Sequence, residues 1–280
     1  MVVLSVIWGL AFPAIRSADF YLSPLSIVIL RWSIASVGFC ALLPVAKWKT
    51  RFVAKDLPRL VVFALMSVAL YGLLLNTAET SISSGLAGLI VSLGPVFMMV
   101  FSAIALKERV HKRLLVALLL AVLGSALLSV ADLSVRGASL LGAIEALAAA
   151  LVYAGFTVVS KPLVERYGSL PVTIWGSLVG TALLLPLVST DFLRQVASLP
   201  LDGWLSVVYL SVFSTVVGYS LFYNLVGRVP LSALSVQLYL VPIVSVVGGV
   251  LILSEQVTPL VALGGAVTLL AIAMARTKNA

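Results

Sequence analysis

The sequence predicts an all-α polytopic membrane protein, with ten transmembrane helices in two inverted five-helix repeats. Three observations carry that expectation. Hydrophobic residues make up 62% of the 280 positions and charged residues only 10%, where a soluble domain carries about 25%. Apolar runs long enough to cross a bilayer recur along the chain. They lack the alternation of barrel strands, and backbone in lipid must satisfy itself internally, so they are expected to be helices. Third, a motif occurs twice. Pro95 precedes Glu108 by thirteen residues, Pro242 precedes Glu255 by thirteen, and the offset between the copies is 147. The same offset carries Leu93 onto Leu240 and Val100 onto Val247, and an offset of 148 carries Asn76 onto Asn224. Self-similarity at half the chain length marks a duplicated unit.

Reading apolar runs between charged or Pro/Gly-marked breaks places helices at about 1–18, 24–46, 58–76, 82–106, 113–131, 137–160, 171–190, 203–226, 231–253 and 259–275. Pro24, Pro171, Pro230 and Pro259 follow turn-forming residues and suit the first turn of a helix, where a missing N–H costs nothing. The two units are expected at 1–131 and 137–276. Residues 1–18 lack the basic segment of a secretory leader. Trp8 falls opposite Tyr153, deep in the sixth helix, so the first helix is expected to begin before Met1, with about one turn missing.

With ten crossings, fourteen Lys/Arg residues fall on the N-terminal side, among them Lys47, Lys49, Arg51, Lys107, Arg109, Lys161, Arg166 and Arg276. Arg16, Arg136 and Arg194 fall on the other side, and Arg31 is left within a span. That bias predicts cytoplasmic N- and C-termini in a plasma (inner) membrane. The net charge of +8 is then a topology signal, with no basic domain to suggest a nucleic-acid partner. Five crossings per unit make the two units inverted, an arrangement in which a substrate site lies near the midplane between repeats.

Arg31 lies about two turns into the second helix. A charge there costs roughly 2.5–3.5 kcal/mol to insert, so it either contacts a substrate carboxylate at a gate or locks helices together. Glu145, at similar depth in the sixth helix, is its expected partner. It is read either as a coupling residue for a proton or as a packing acid neutralised by Arg31. Asn76 and Asn224 end the third and eighth helices as gate or cap residues. Gln237 and Tyr239, in the ninth, need polar partners that a cavity wall would supply. Trp8, Phe12, Tyr71, Tyr153, Trp175, Tyr219 and Tyr223 complete the expected cavity set. The pairs Trp8/Phe12 and Tyr219/Tyr223 share a helix face at i, i+4, suited either to an amphiphilic solute or to helix packing. Pro13, Pro95 and Pro242 are candidate hinges. Glu108 and Glu255 are read as helix-terminus caps.

Catalysis is poorly supported. His111, the single histidine, lies in a basic loop, and Cys40, the single cysteine, is alone in an apolar helix. They supply no metal set or catalytic triad, and no phosphate loop is present. No cofactor is expected. The expected partners are a small-molecule substrate, the bilayer and a proton as coupling ion.

Ile7-Trp8-Gly9-Leu10-Ala11-Phe12, then Ser23-Pro24-Leu25 and Arg31, resemble the opening of an EamA-type repeat of the drug/metabolite transporter superfamily. Ser83-Ser84-Gly85-Leu86-Ala87 through Pro95 to Glu108-Arg109-Val110 is similar to that repeat's fourth helix and its exit. Ala233 through Pro242, Glu255-Gln256-Val257 and Gly264 look like the same elements again. The second copy departs at Tyr153-Ala154-Gly155-Phe156, where Trp-Gly would stand, and near Trp175, where the arginine would be. The resemblance implies secondary transport, often export, of amino acids or drug-like amphiphiles. The alternatives are a scaffold, a passive channel, or an exchanger of anionic metabolites. The last is weakened because Arg31 is the one basic residue within a span.

Overall fold

The computed structural model of the protein describes residues 2–46, 52–105, 116, 119–120, 123–124, 127, 140–228 and 240–275. Most of the expected fifth span, the connection after it, Glu108, and the first half of the ninth span with Gln237 and Tyr239 lie outside the described residues. Among the described residues the regular structure is helical: α1 Val2–Gly9, α2 Ala11–Ala18, α3 Pro24–Ala41, α4 Leu57–Ala64, α5 Tyr71–Ser81, α6 Ser84–Val91, α7 Gly94–Ala105, α8 Leu140–Tyr167, α9 Ser169–Leu184, α10 Thr190–Ala197, α11 Leu201–Val208, α12 Gly218–Val226, α13 Leu240–Leu253 and α14 Pro259–Ala275. Among the described residues six stretches are long and apolar enough to cross a membrane: Pro24–Ala41, Ala54–Ser81, Ser84–Ala105, Leu140–Tyr167, Ser169–Leu187 and Leu201–Val226. Val2–Ala18 and Val241–Leu253 are shorter apolar helices, and α14 is a further apolar helix.

Two of the spans expected as single rods are broken, and proline chemistry explains both. Pro13 offers no N–H to the carbonyl of Gly9, four residues back, and α1 ends at Gly9. Pro95 stands in the same relation to Val91, and α6 ends there. Each chain resumes as helix within a few residues, so a lost i→i−4 bond gives a break without a full stop.

The third and eighth expected spans differ in another way. α4 passes into α5 through a π-helical stretch, Leu65–Leu70, and α11 passes into α12 through Tyr209–Val217. A π turn widens the helix and releases carbonyls from the regular ladder. α5 also runs to Ser81, five residues beyond the expected end at Asn76. Asn76 is a helix residue, buried, with its amide donating to the Gly72 carbonyl at 2.6 Å. The extra turn carries Glu79 into the bundle.

Several long-range polar contacts join the two halves of the chain. Ser36 on α3 is hydrogen-bonded to Ser177 (3.0 Å) and Thr181 (2.8 Å) on α9, and Thr181 donates to the Trp32 carbonyl at 3.2 Å. Gly88 lets α6 meet α13, since a Cβ there would collide with Ser245, whose hydroxyl donates to the Ser84 carbonyl at 2.9 Å. The contacts made by the turns fall into two groups. At one end the Ser23 N–H donates to Gln195 of α10 (3.0 Å), and Glu255 meets Ser84.

At the other end Asp56 Oδ2 accepts from Arg166 (2.7 Å) and from the Tyr167 hydroxyl (2.5 Å), and Phe52 stacks on Tyr167 with centroids 4.0 Å apart. Asp56→Asn and Tyr167→Phe are each expected to lower the thermal midpoint modestly. Because they act on one clasp, the double variant should fall by less than the sum, measured by unfolding in detergent.

Candidate functional site: an aromatic cavity between the halves

A cavity of about 60 Å³ lies between the halves. Trp8, Phe12, Arg31 and Tyr71 line it from the first half, and Tyr153 and Tyr219 from the second. Ile15, Leu75, Val91 and Val241 close its apolar wall, with Ser92 and Ser214 as hydroxyl groups. Trp8, Phe12 and Ile15 reach it together because i, i+4 and i+7 share one face of the broken first helix.

The π stretch of the eighth span builds the polar side. The Ser214 carbonyl accepts the Trp8 indole N–H at 3.0 Å. The Ser214 and Thr215 hydroxyls accept from Arg31 Nη2 (3.3 Å) and Nε (2.7 Å). Thr215 in turn donates to the Leu210 carbonyl at 2.8 Å, a five-residue reach. Those bonds use two of the five N–H donors of a guanidinium. A Cβ at position 218 would strike the Trp8 indole, so the approach of Trp8 to the eighth span requires Gly218.

The rings form one connected set. Trp8 packs on Tyr219 (5.6 Å), Phe222 (5.0 Å) and Tyr153 (6.4 Å), and Tyr71 packs on Tyr153 (6.2 Å). The Trp8 contacts with Tyr153 and Tyr219 are edge-to-face and the other two are tilted, arrangements that aromatic pairs favour. The Tyr153 hydroxyl is buried without a hydrogen-bond partner. An orphaned hydroxyl in a cavity wall is where a ligand's polar group would be held.

Several expected site residues lie elsewhere. Tyr223 is buried behind the cavity, stacked on Tyr219 and against Phe63. Trp175 is 42% exposed on the bundle's surface. On α9 the inward face is Gly176, Ser177, Gly180 and Thr181, which turns Trp175 outward. Asn224 is likewise exposed, one step round the helix from inward-facing Tyr223.

The expected pairing of Arg31 with Glu145 is corrected. α8 turns Ala146, Ala149, Ala150 and Tyr153 inward, leaving Glu145 only partly buried. The titratable side chains within electrostatic reach of Arg31 are Tyr219, Tyr71 and Glu79, and Glu145 is not among them. Ser214, Thr215 and Glu79 were not singled out from sequence. Hydroxyls are common in spans, and Glu79 lies past the apparent end of its apolar run. The signal available for Leu75 and Phe222 was their i+4 and i+3 spacing from Tyr71 and Tyr219. Pro13 and Pro95 adjoin the two helix breaks, and Pro242 lies in the first turn of α13 as described. Among the described residues no group of His, Cys, Asp and Glu could hold a metal ion.

Apolar helices of spanning length, packed around an aromatic cavity lined by the buried Arg31, define a multi-pass membrane protein of the transporter kind. The profile of the EamA-like transporter family matches residues 1–130 and again 140–277, and the chain belongs to that family, whose members are transporters rather than enzymes. An uncharacterized transporter of Archaeoglobus fulgidus is 32% identical over 265 residues, covering 95% of this chain and 93% of its own. A probable terminal-alkyne amino-acid exporter of Streptantibioticus cattleyicolor is 31% identical over 95% of this chain and 88% of its own. A probable amino-acid metabolite efflux pump of Escherichia coli is 28% identical over 92% and 87%. One solved protein structure superposes with a TM-score of 0.64 at 20% identity, covering 98% of this chain and 94% of its own. That likeness shows the fold alone.

Proposed function

We propose that the protein is a secondary transporter exporting small amphiphilic metabolites, amino acids or their analogues foremost, by alternating access. The observation that carries the reading is the cavity itself. It sets one buried guanidinium and one orphaned tyrosine hydroxyl beside a wall of rings, between the halves of the chain. A carboxylate would be held by the remaining donors of Arg31, while an apolar or aromatic side chain packs on Trp8, Tyr153 and Tyr219. The names of the Streptantibioticus and Escherichia relatives support an amino-acid-like solute and the outward direction.

The same reading takes the chain as ten crossings in two inverted units, 1–131 and 137–276, with both termini in the cytoplasm of a plasma (inner) membrane. Five crossings per unit place Asp19, Ser84, Gln195 and Glu255 outside and Asp56 and Arg166 inside. The contacts at each end of the bundle agree with that assignment. A reporter fused after Ala280 that proved external would overturn it.

Counterflow in vesicles tests the transport itself, using labelled L-phenylalanine against a panel of unlabelled amino acids. Saturable, trans-stimulated flux is the expected result. Non-saturating flux would mean a channel, and no flux for any solute a scaffold. Tyr153→Phe keeps the rings and removes the unpartnered hydroxyl. It is expected to raise the half-saturation concentration about fivefold, the worth of one hydrogen bond of roughly 1 kcal/mol, with little loss of stability.

A further inference from the structure

One turn outward of the cavity, beyond Ile15 and Leu75, the bundle is sealed by ionisable groups. Glu79 on α5 is 0% exposed, and neither of its carboxyl oxygens has a hydrogen-bond partner. Asp19, the C-cap of α2, likewise buries both carboxyl oxygens without a partner. Arg16 spends its guanidinium on the Glu79 main-chain carbonyl and on the face of Phe20 rather than on either carboxylate. Among the described residues the charged and titratable groups that face Glu79 are Asp19 and Arg16 from α2 and its turn, Glu255 after α13, Arg31 from α3, and Tyr71 two turns below. Glu255 is held by Ser84 and Gly85 and Arg31 by Thr215 and Ser214.

The described ring therefore sets three carboxyl groups against two guanidinium groups, and one proton balances it. A buried carboxylate with no donor is costly, and a protonated carboxyl much less so. Taking on a proton is thus the least expensive way to keep this end closed.

We propose that Glu79, with Asp19 and Arg16, is a proton-exchange site that controls the outer gate. Protonated, the site stays buried and the gate is shut. When the Glu79 O–H bond breaks and its proton passes to external water, the carboxylate left behind is drawn to solvent and repelled by Asp19. α5 and the α2 turn then separate, opening the cavity outward. The inference rests on the transport reading for its purpose and moves the coupling role from Glu145 to Glu79.

Asp19, on the turn outside the spans, shows the same physics. Burial pushes its carboxyl up to about 8, against the lowering influence of Arg16. A carboxyl raised on folding stabilises fully below its unfolded value and loses that contribution as pH climbs to the folded one. The thermal midpoint should therefore fall between about pH 4 and pH 8, and Asp19→Asn should flatten that slope. A rise in stability over the same interval would contradict this burial.

The direct test reads the gate without any solute. Leu75→Cys, in a Cys40→Ala background, places a thiol in the cavity wall. A membrane-impermeant maleimide applied outside spheroplasts reports access through the gate. Phe20→Cys, on the exposed turn, corrects for the thiol's own pH dependence. The corrected rate should rise roughly tenfold from about pH 5.5 to about pH 8.5 in the parent. It should be nearly flat in Glu79→Gln and blunted in Asp19→Asn, and Glu145→Gln should follow the parent. No pH dependence in the parent would overturn the proposal. So would an undiminished one in Glu79→Gln or, should that variant not fold, in Asp19→Asn. Gated access in a protein that moves no amino acid would keep this site and sink the transport reading; saturable flux with pH-independent access would do the reverse.

Discussion

Replacing Arg31 with alanine is expected to destabilise the protein by about 3–5 kcal/mol, the cost of breaking a buried charge arrangement, and to abolish saturable flux. The side chain is 6% exposed and crosses between the halves, donating to Thr215 and Ser214. Alanine leaves both hydroxyls without their donor and removes one of the two cations that face Glu79. Lysine separates the two consequences. Its ammonium keeps the charge but lacks the fork that reaches two hydroxyls and a ligand carboxylate together. Arg31→Lys should recover most of the thermal midpoint and little of the affinity. Equal recovery of both would mean that Arg31 only locks the helices. Wild-type flux in Arg31→Ala would remove it from the substrate site altogether.

The cavity was legible where helical periodicity and ring chemistry coincide. Trp8 with Phe12, and Tyr71, Tyr153 and Tyr219, could be placed together because large rings at i, i+4 on an apolar helix need partners, and the repeat aligned the elements carrying them. Arg31 was legible because a lone charge in a span must face protein. What escaped depends on where helices end and how they turn. The apolar run of the third span stops at Asn76, which puts Glu79 in a connection and leaves Glu145 as the acid within a span at the depth of Arg31. The helix continues with Asn76 donating its amide N–H to the Gly72 carbonyl and Thr80 returning its hydroxyl to the Thr77 carbonyl at 2.7 Å. Nor does a sequence mark a π stretch. The one in the eighth span decides that Ser214 and Thr215, rather than residues a third of a turn away, meet Trp8 and Arg31. Trp175 shows the converse limit, since an aromatic residue in a span has no preferred face until small neighbours such as Gly176 fix which side packs.

Glu255, by contrast, could be read as a helix-terminus residue from its place after the repeated proline, and its geometry shows whose terminus it caps. α13 ends with Ser254 at φ 54°, a left-handed residue that turns the chain so that the Glu255 N–H returns to the Gly249 carbonyl at 3.1 Å. This closure, which reaches back six residues, turns the chain sharply at the end of α13. It aims the carboxylate across to the other half. There it accepts from Ser84 N–H (2.9 Å), Ser84 Oγ (3.0 Å) and Gly85 N–H (3.2 Å) at the start of α6. Ser83 accepts the next N–H, that of Leu86, at 3.2 Å. The first turn of α6 thus has its orphan donors met, and a negative charge sits at the positive end of its dipole. Glu255→Ala strands three donors at an 8% exposed position and is expected to cost about 3 kcal/mol, since charge-assisted bonds are worth roughly 1.5–3 each and do not add fully. Glu255→Gln keeps an acceptor without the charge and should fall between. A cycle with Ser84→Ala should return a coupling of about 1 kcal/mol; additive losses would mean that the cap is not shared. The cap also ties the halves together beside Glu79, so its loss should admit the external maleimide to Leu75→Cys at low as well as high pH. A variant that is destabilised yet still shut at low pH would make the cap a fastening of α6 alone, and would leave Glu79 and Asp19 as the groups that close the outer end.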